Sequence, residues 1–212
     1  MEIADIDEAL KSKSARLTEI LRHGGRTLLA YSGGVDSAYL AVAARDLLGD
    51  DLSAVLADSP SLADWEREEA MEFASRHGIP FRVLATRELD NPEYSRNDLD
   101  RCFHCKSELF GLMEELAGQG GYETLIYGGN FSDRGDFRPG AEAARKFKVR
   151  APLDEAGLVK AEIRALARER GLSVWDLPAR ACLASRIPHF EPVDAGKLAQ
   201  LARAEKLLRD LG

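Results

Sequence analysis

The stretch that decides the fold is Ala30-Tyr31-Ser32-Gly33-Gly34-Val35-Asp36-Ser37. The apolar run Thr27-Leu28-Leu29-Ala30-Tyr31 leads into it and the helix-like run Ala38-Tyr39-Leu40-Ala41-Val42-Ala43-Ala44 leaves it. Strand, glycine-rich turn and helix in that order aim backbone N–H groups and a helix N-terminus at an anion. Gly33 and Gly34 let the backbone approach a ligand with no Cβ in the way. Ser32 and Ser37 add hydroxyl donors, and Asp36 adds a carboxylate able to hold Mg²⁺ beside phosphates. The lysine of the Walker loop, G-x-x-x-x-G-K-[ST], is missing. A pair of glycines alone would read as an ordinary strand-to-helix turn. The full string with its flanking elements reads as a nucleotide site.

Around this stretch strands and helices alternate. Leu52-Ser53-Ala54-Val55-Leu56-Ala57, Phe81-Arg82-Val83-Leu84-Ala85 and Thr124-Leu125-Ile126-Tyr127 read as further strands. Helices are expected over residues ~5–22 (apolar at Ile6, Leu10, Leu17, Ile20 and Leu21), from ~37 to Gly49, from Ser61 to Arg76, and from Cys102 to Leu116 before the turn Gly118 to Gly121. Pro139 to Phe147 reads as a short helix, Ala151-Pro152-Leu153 as extended, and Lys160 to Arg170 as a helix with Ile163 and Leu166 inward. A last helix over ~194–211 carries Leu198, Leu201, Leu207 and Leu208 on one side. The expected class is α/β: a parallel twisted sheet with helices on both faces and a helical C-terminal extension. In such sheets ligands lie at the carboxyl ends of strands. Ser32–Ser37, Asp58-Ser59 and Gly128–Asp133 all fall there.

The chain has 212 residues, enough for one α/β domain with a buried core. Its net charge of −7 argues against broad nucleic-acid or anionic-membrane binding. No apolar run reaches the ~18 residues of a membrane span. The acidic start Met1-Glu2-Ile3-Ala4-Asp5 is unlike a signal peptide. Three cysteines do not make a secreted disulfide framework, so a reducing cytoplasm is expected.

Cys102-Phe103-His104-Cys105 is C-x-x-C, two thiols able to grip one metal ion or two corners of a cluster. A redox dithiol and two merely buried small residues are the other readings. Cys182 sits among Arg180, Ser185 and Arg186, cations that would lower its pKa if they point at it. That is a setting for a nucleophile or a ligand. His104, between the two thiols, is poorly placed to complete a zinc site with them.

The string Ser32–Ser37 resembles the PP-loop of the ATP pyrophosphatase superfamily, which has the adenine nucleotide alpha hydrolase-like fold. Together with Arg101-Cys102-x-x-Cys105-Lys106, Asp136-Phe137-Arg138-Pro139-Gly140 and Ala181-Cys182-Leu183-Ala184-Ser185-Arg186-Ile187-Pro188, it resembles the LarE-type sulfur transferases over nearly the whole chain, in the three-cysteine variant. The resemblance implies a PP-loop domain over 1–150 and a C-terminal segment over 151–212 that carries the third cysteine and is incomplete relative to the family. It implies adenylation of pyridinium-3,5-biscarboxylic acid mononucleotide with ATP and Mg²⁺, and conversion of its carboxylate to a thiocarboxylate for the nickel-pincer nucleotide cofactor. Ser32, Gly33, Gly34, Asp36 and Ser37 would hold phosphates and Mg²⁺; Gly128 and the backbone near Ala57 would frame the adenine. Arg138, Ser185 and Arg186 would contact phosphate or substrate, and Asp133 a second metal or the ribose. Cys182 would be the sacrificial sulfur donor. Alternatively, Cys102, Cys105 and Cys182 would hold a 4Fe–4S cluster carrying the sulfur. A homo-oligomer, with no membrane or nucleic-acid partner, is also implied. The rival readings are a tRNA thiolase of the same superfamily, an amidotransferase-like synthetase, and a nucleotide-sensing domain like the universal stress proteins.

Overall fold

The computed structural model describes residues 3–135 and 137–211, with side chains from residue 8 onward. The side chain of Ile6 and all of Asp136 therefore lie outside the described residues. The first helix, α1, spans Ile3–Arg22 and leads to β1, Thr27–Tyr31, and α2, Val35–Leu48. Then come β2 (Leu52–Asp58), α3 (Asp64–Arg76), β3 (Phe81–Ala85) and a single turn, α4 (Pro92–Ser95). The long α5 (Arg101–Gly120) precedes β4 (Thr124–Tyr127) and α6 (Pro139–Lys146). The rest is helical: α7 (Pro152–Glu155), α8 (Lys160–Glu169) and α9 (Ala195–Leu211).

The four strands are parallel in the order β3-β2-β1-β4. The two central strands are covered on both faces, which is why they read as unbroken apolar runs rather than as alternation. Their side chains still alternate between two cores. Leu29, Tyr31, Ala54 and Leu56 face α1, α2, α7 and α8, where Leu17, Tyr39, Leu153 and Ile163 are buried. Leu28 and Val55 face α5 and α6, against Phe110, Met113 and Ala143. Leu153, Ile163 and Leu166, from beyond residue 150, thus complete the core built around β1. A third cluster holds Tyr94 of α4 against Leu183, Ile187, Val193 and Leu198.

This order has a functional consequence. The chain steps outward from β1 to β2 and β3, then returns to the other side of β1 with β4. The connections leaving β1 and β4 diverge, so a crevice opens outside their carboxyl ends. Ser32–Ser37 follows β1 there, and Gly128–Asp133 follows β4.

Four local readings are corrected. Pro152 begins a helical turn rather than an extended segment, because proline's fixed φ suits the first helical position. The charged helix starts at Asp64, not Ser61: Ser61 shares a hydrogen bond with the Tyr94 hydroxyl, and its carbonyl accepts from the Leu183 N–H. The fifth helix runs through Gly118 and ends at Gly121, whose φ of 65° only glycine adopts freely. Leu207 and Leu208 are 61% and 68% exposed, so of the four leucines only Leu198 and Leu201 are covered.

Candidate active site

The loop after β1 is shaped by two close approaches. Gly33 has φ +75°, and a Cβ there would stand 2.7 Å from Ala70 Cβ of α3. Gly128, after β4, lies against the first turn of α2: a Cβ would meet the Ser37 nitrogen at 2.8 Å. The sequence places Gly128 beside the adenine; its position against α2 already excludes a side chain. The Ser37 hydroxyl donates to the Gly34 carbonyl (3.0 Å) and lies 3.1 Å from the Ser32 hydroxyl. The two hydroxyls thus stand side by side at the amino end of α2, where backbone N–H groups and the helix dipole favour an anion.

Asp36 sits in the first turn of α2. Its Oδ2 accepts from Asn130 Nδ2 (3.1 Å) and from Lys160 Nζ (2.7 Å). Its Oδ1 is buried with no partner among the described residues. A buried carboxylate oxygen is costly to leave unpaired, and a hard divalent cation is the partner that suits it. Asp36 therefore fits the expected Mg²⁺ role. Asp133 is engaged otherwise. It accepts from the Asn130 backbone N–H (3.1 Å), capping the turn after β4, and pairs with Arg138 at 3.0 Å.

The thiols come from two elements. Cys102 and Cys105 lie in the first turn of α5, and Cys182 precedes a 3₁₀ turn over Leu183–Arg186. Three bonds seat that turn. Leu183 N–H donates to the Ser61 carbonyl (2.9 Å), beyond β2, and Arg101 Nη1 donates to the Ala184 carbonyl (2.9 Å). Ser185 folds its own N–H back onto the Cys182 carbonyl (2.9 Å). Asn97 completes the clamp from a left-handed conformation (φ 62°), giving its amide to the carbonyls of Pro188 and Glu191, 2.8 Å each, and accepting from Arg101. The three thiols lie within electrostatic reach of one another. They do not converge on a single metal ion: no such group of three His, Cys, Asp or Glu occurs among the described residues. A cluster takes one thiolate at each of several irons, so its donors stand further apart than those on one ion. His104 pairs with Asp100 at 3.1 Å.

The electrostatics overturn one expectation. Neither Arg180 nor Arg186 activates Cys182. Arg180 pairs with Glu69 at 2.6 Å and stacks on Trp65, whereas Arg186 pairs with Glu205 at 2.7 Å and donates to the Ala181 carbonyl. Ser185 and Arg186 are gathered around the Cys182 turn itself. Although the residue is exposed, desolvation of its sulfur by neighbouring atoms raises the Cys182 thiol pKa, and the cation that opposes this is Arg101. Burial, reinforced by the Glu88 carboxylate and the other two thiols, pushes Cys105 up to about 12. A raised thiol pKa favours folding below the unfolded thiol value of about 8.5 and is lost as pH climbs toward 12. Chemical denaturation should therefore show stability falling above about pH 8.5, with a slope that Cys105→Ala flattens. A second prediction concerns the clamp. Arg101, 5% exposed, holds two buried acceptors; Arg101→Met should cost about 1–3 kcal/mol for each. Denaturant titration reads the loss, and faster alkylation of Cys182 would report the freed turn.

Lys106 links the two halves. Burial lowers its pKa, opposed by Cys102, Cys105 and Asp133, and its ammonium lies 4.7 Å from the centre of the Tyr127 ring of β4. Sequence reasoning finds Lys106 only as part of a motif, with no task of its own, and it misses Lys160 and Glu88. Nothing in spacing points from Lys160 to Asp36, 124 residues away.

A parallel sheet with a glycine-rich loop at its switch point, and a carboxylate with one unpartnered buried oxygen in the following helix, is the arrangement of a PP-loop nucleotide-binding protein. No family model matches the chain. It is 42% identical over 203 residues to an uncharacterised protein of Synechocystis sp., covering 96% of this chain and 76% of that one. It is 32% identical over 204 residues to the pyridinium-3,5-bisthiocarboxylic acid mononucleotide synthase of Lactiplantibacillus plantarum, covering 96% of this chain and 74% of that one. A 27% likeness over 203 residues extends to one of the subunits of the glutamine-hydrolyzing GMP synthase of Thermoplasma acidophilum, covering 88% of this chain and 64% of that one. The chain belongs to the family of the pyridinium-3,5-bisthiocarboxylic acid mononucleotide synthases, the LarE family. Among the described residues no helix is long and apolar enough to cross a membrane.

Proposed function

We propose that the protein is an ATP-dependent sulfur transferase of nickel-pincer cofactor synthesis. It adenylates a carboxylate of pyridinium-3,5-biscarboxylic acid mononucleotide, releases pyrophosphate and replaces the activated oxygen with sulfur. What supports this reading is that two groups stand at the carboxyl end of the central strands. The PP-loop with its unpaired Asp36 oxygen follows β1, and the turn carrying Cys182 is pinned to Ser61, beyond β2.

The loop and the start of α2 orient the triphosphate, with Ser32 and Ser37 as hydroxyl donors. Asp36 would hold Mg²⁺, which neutralises phosphate charge when bound. A carboxylate is a poor electrophile, and joining it to AMP supplies a leaving group. The substrate carboxylate oxygen bonds to the α-phosphorus as the bond to the β-phosphate oxygen breaks. Lys106, beside the thiols and Asp133, places positive charge where the acyl group and its developing oxyanion would lie.

For the sulfur, one reading makes Cys102, Cys105 and Cys182, the three cysteines of the chain, holders of a 4Fe–4S cluster, which would offer an open iron for hydrosulfide when bound. A second reading is favoured by the solvent-exposed position of Cys182. Its thiolate would attack the acyl-adenylate, expel AMP and form a thioester. Loss of the Cα proton and cleavage of the Cβ–S bond would then release the thiocarboxylate and leave dehydroalanine.

The test incubates anaerobically purified protein with ATP, Mg²⁺ and the mononucleotide. Phosphorus NMR should show AMP and pyrophosphate formed only when the mononucleotide is present. Formation of ADP and phosphate, or no dependence on the mononucleotide, would refute the reading. Intact mass and iron analysis then separate the two sulfur sources. Loss of one H₂S-equivalent of mass marks the sacrificial route, and unchanged mass with bound iron marks the cluster.

A further inference from the structure

Glu88 is a carboxylate where the fold has no evident need of one. It opens the 3₁₀ turn after β3, is 1% exposed, and its Oε2 is buried with no partner among the described residues. A glutamate is costly to bury, and one left half-paired asks for a reason. Its other oxygen supplies one. The segment after β3 runs beside the end of β2, where the Thr86 N–H donates to the Asp58 carbonyl (3.1 Å). There Glu88 Oε1 accepts from the Ser59 hydroxyl. With its proton committed to Glu88, that hydroxyl turns a lone pair to the Ser61 N–H, which donates to it at 3.0 Å. Ser61 is thereby fixed, and both of its remaining polar groups reach the Cys182 turn. Its carbonyl accepts from the Leu183 N–H (2.9 Å). Its hydroxyl meets the hydroxyl of Tyr94, a residue that belongs to the same buried cluster as Leu183 and Ala184. The Glu88 carboxylate also raises the pKa of both Cys105 and Tyr94, as a charge close to both would.

We propose that Glu88 is a positioning residue for Cys182, acting through Ser59 and Ser61 to hold the Cys182 turn at the carboxyl end of β2. The relay runs Glu88, Ser59, Ser61, Leu183, and every link is a hydrogen bond. It reaches the turn from the strand side, whereas Asn97 and Arg101 hold it from α5. A reacting group displaced by about 1 Å can lose about 10²-fold in rate, so the relay bears on the sulfur step while touching neither substrate nor thiol. The PP-loop lies outside it: Ser32 and Ser37 are placed by bonds to each other and to Gly34. For its effect on turnover this inference rests on the sulfur-transfer reading above.

Three variants of the full chain test it. Glu88→Ala cuts the first link, Ser59→Ala cuts the second with the loss of one hydroxyl, and Glu88→Gln keeps both, since its amide oxygen can accept from Ser59 in the same place. Single-turnover reactions with ATP, Mg²⁺ and the mononucleotide are followed for pyrophosphate and for thiocarboxylate. Both alanine variants should form thiocarboxylate at least about tenfold more slowly and release pyrophosphate at the wild-type rate, and Glu88→Gln should lie close to the wild type. Iodoacetamide labelling, read by peptide mass, should show Cys182 alkylated faster in both alanine variants and Cys102, which is off the relay, unchanged. Ser59→Ala carries the test if Glu88→Ala does not fold, as melting curves will show. Equal loss of both products, or faster labelling of both cysteines, would mean a general loosening. Unchanged thiocarboxylate would mean that Cys182 is placed without Glu88. A glutamine variant as slow as the alanine one would mean that the charge acts on the thiols directly. Each of these overturns the proposal. A wild type that makes no pyrophosphate from the mononucleotide would instead remove the sulfur-transfer reading, while the labelling rates would still read the relay.

Discussion

Asp36→Asn should release pyrophosphate about 10²–10³-fold more slowly than the wild type, the loss of about 2.7–4 kcal/mol of transition-state stabilisation. The substitution keeps size and shape, so α2 and its glycine contacts are undisturbed. It removes the charge on the one group in the loop whose buried oxygen has no protein partner among the described residues. It also releases Lys160, whose ammonium now pairs with Asp36 at 2.7 Å. Metal-free ATP should therefore bind the variant at least as well as the wild type, while turnover is lost. That split separates a metal anchor from a merely structural carboxylate, because a distorted loop would weaken binding and turnover together. A pyrophosphate assay beside calorimetry in the presence of a chelator reads both quantities. Turnover within a few-fold of the wild type would show that Asp36 carries no metal.

Cys182→Ser should abolish thiocarboxylate formation, by at least about 10³-fold, while leaving adenylation largely intact. Whether Cys182 gives up its own sulfur or ligates a cluster, its thiol lies on the sulfur side of the reaction. In the proposed reaction the nucleotide is handled by Ser32–Ser37, whose position does not depend on the turn over Leu183–Arg186. The variant should accumulate acyl-adenylate and still release pyrophosphate for a single turnover. Serine keeps the turn, since the bonds from Leu183 N–H and Arg101 go to backbone groups, and a hydroxyl accepts from the Ser185 and Ala184 N–H groups as the thiol does. Chromatography of the products with mass detection follows both species. Thiocarboxylate at the wild-type rate would remove Cys182 from the chemistry.

Much of the scaffold can be read in the chain. The strands stand out because β1 and β2 are buried on both faces and so carry few polar interruptions. The loop stands out because a parallel sheet's switch point demands glycines, and Gly33 and Gly128 are held by contacts a side chain would break. The C-x-x-C spacing places two thiols on one helical turn. The pairing of Asp36 with Lys160 is not legible, because it joins residues 124 apart through tertiary packing alone. Sequence proximity misleads about the electrostatics of Cys182 for a related reason. Arg180 and Arg186 are its neighbours in the chain, yet Glu69 and Glu205, brought in by α3 and α9, draw both away. Arg101, some eighty positions earlier, takes their place because Asn97 bends into the left-handed region and aims it. Asp133 and Ser185, expected as ligand contacts from the resemblance, also hold turns, a role that chain position alone does not reveal.

In the proposed reaction a substrate carboxylate attacks the α-phosphorus of ATP in the crevice between β1 and β4. The most direct measurement follows an oxygen. The mononucleotide is prepared with ¹⁸O in its carboxylates and incubated with ATP, Mg²⁺ and the protein, and the AMP formed is analysed by mass spectrometry. Each AMP should carry one ¹⁸O from the carboxylate, and pyrophosphate should carry none. Unlabelled AMP, or label in phosphate or pyrophosphate, would contradict it.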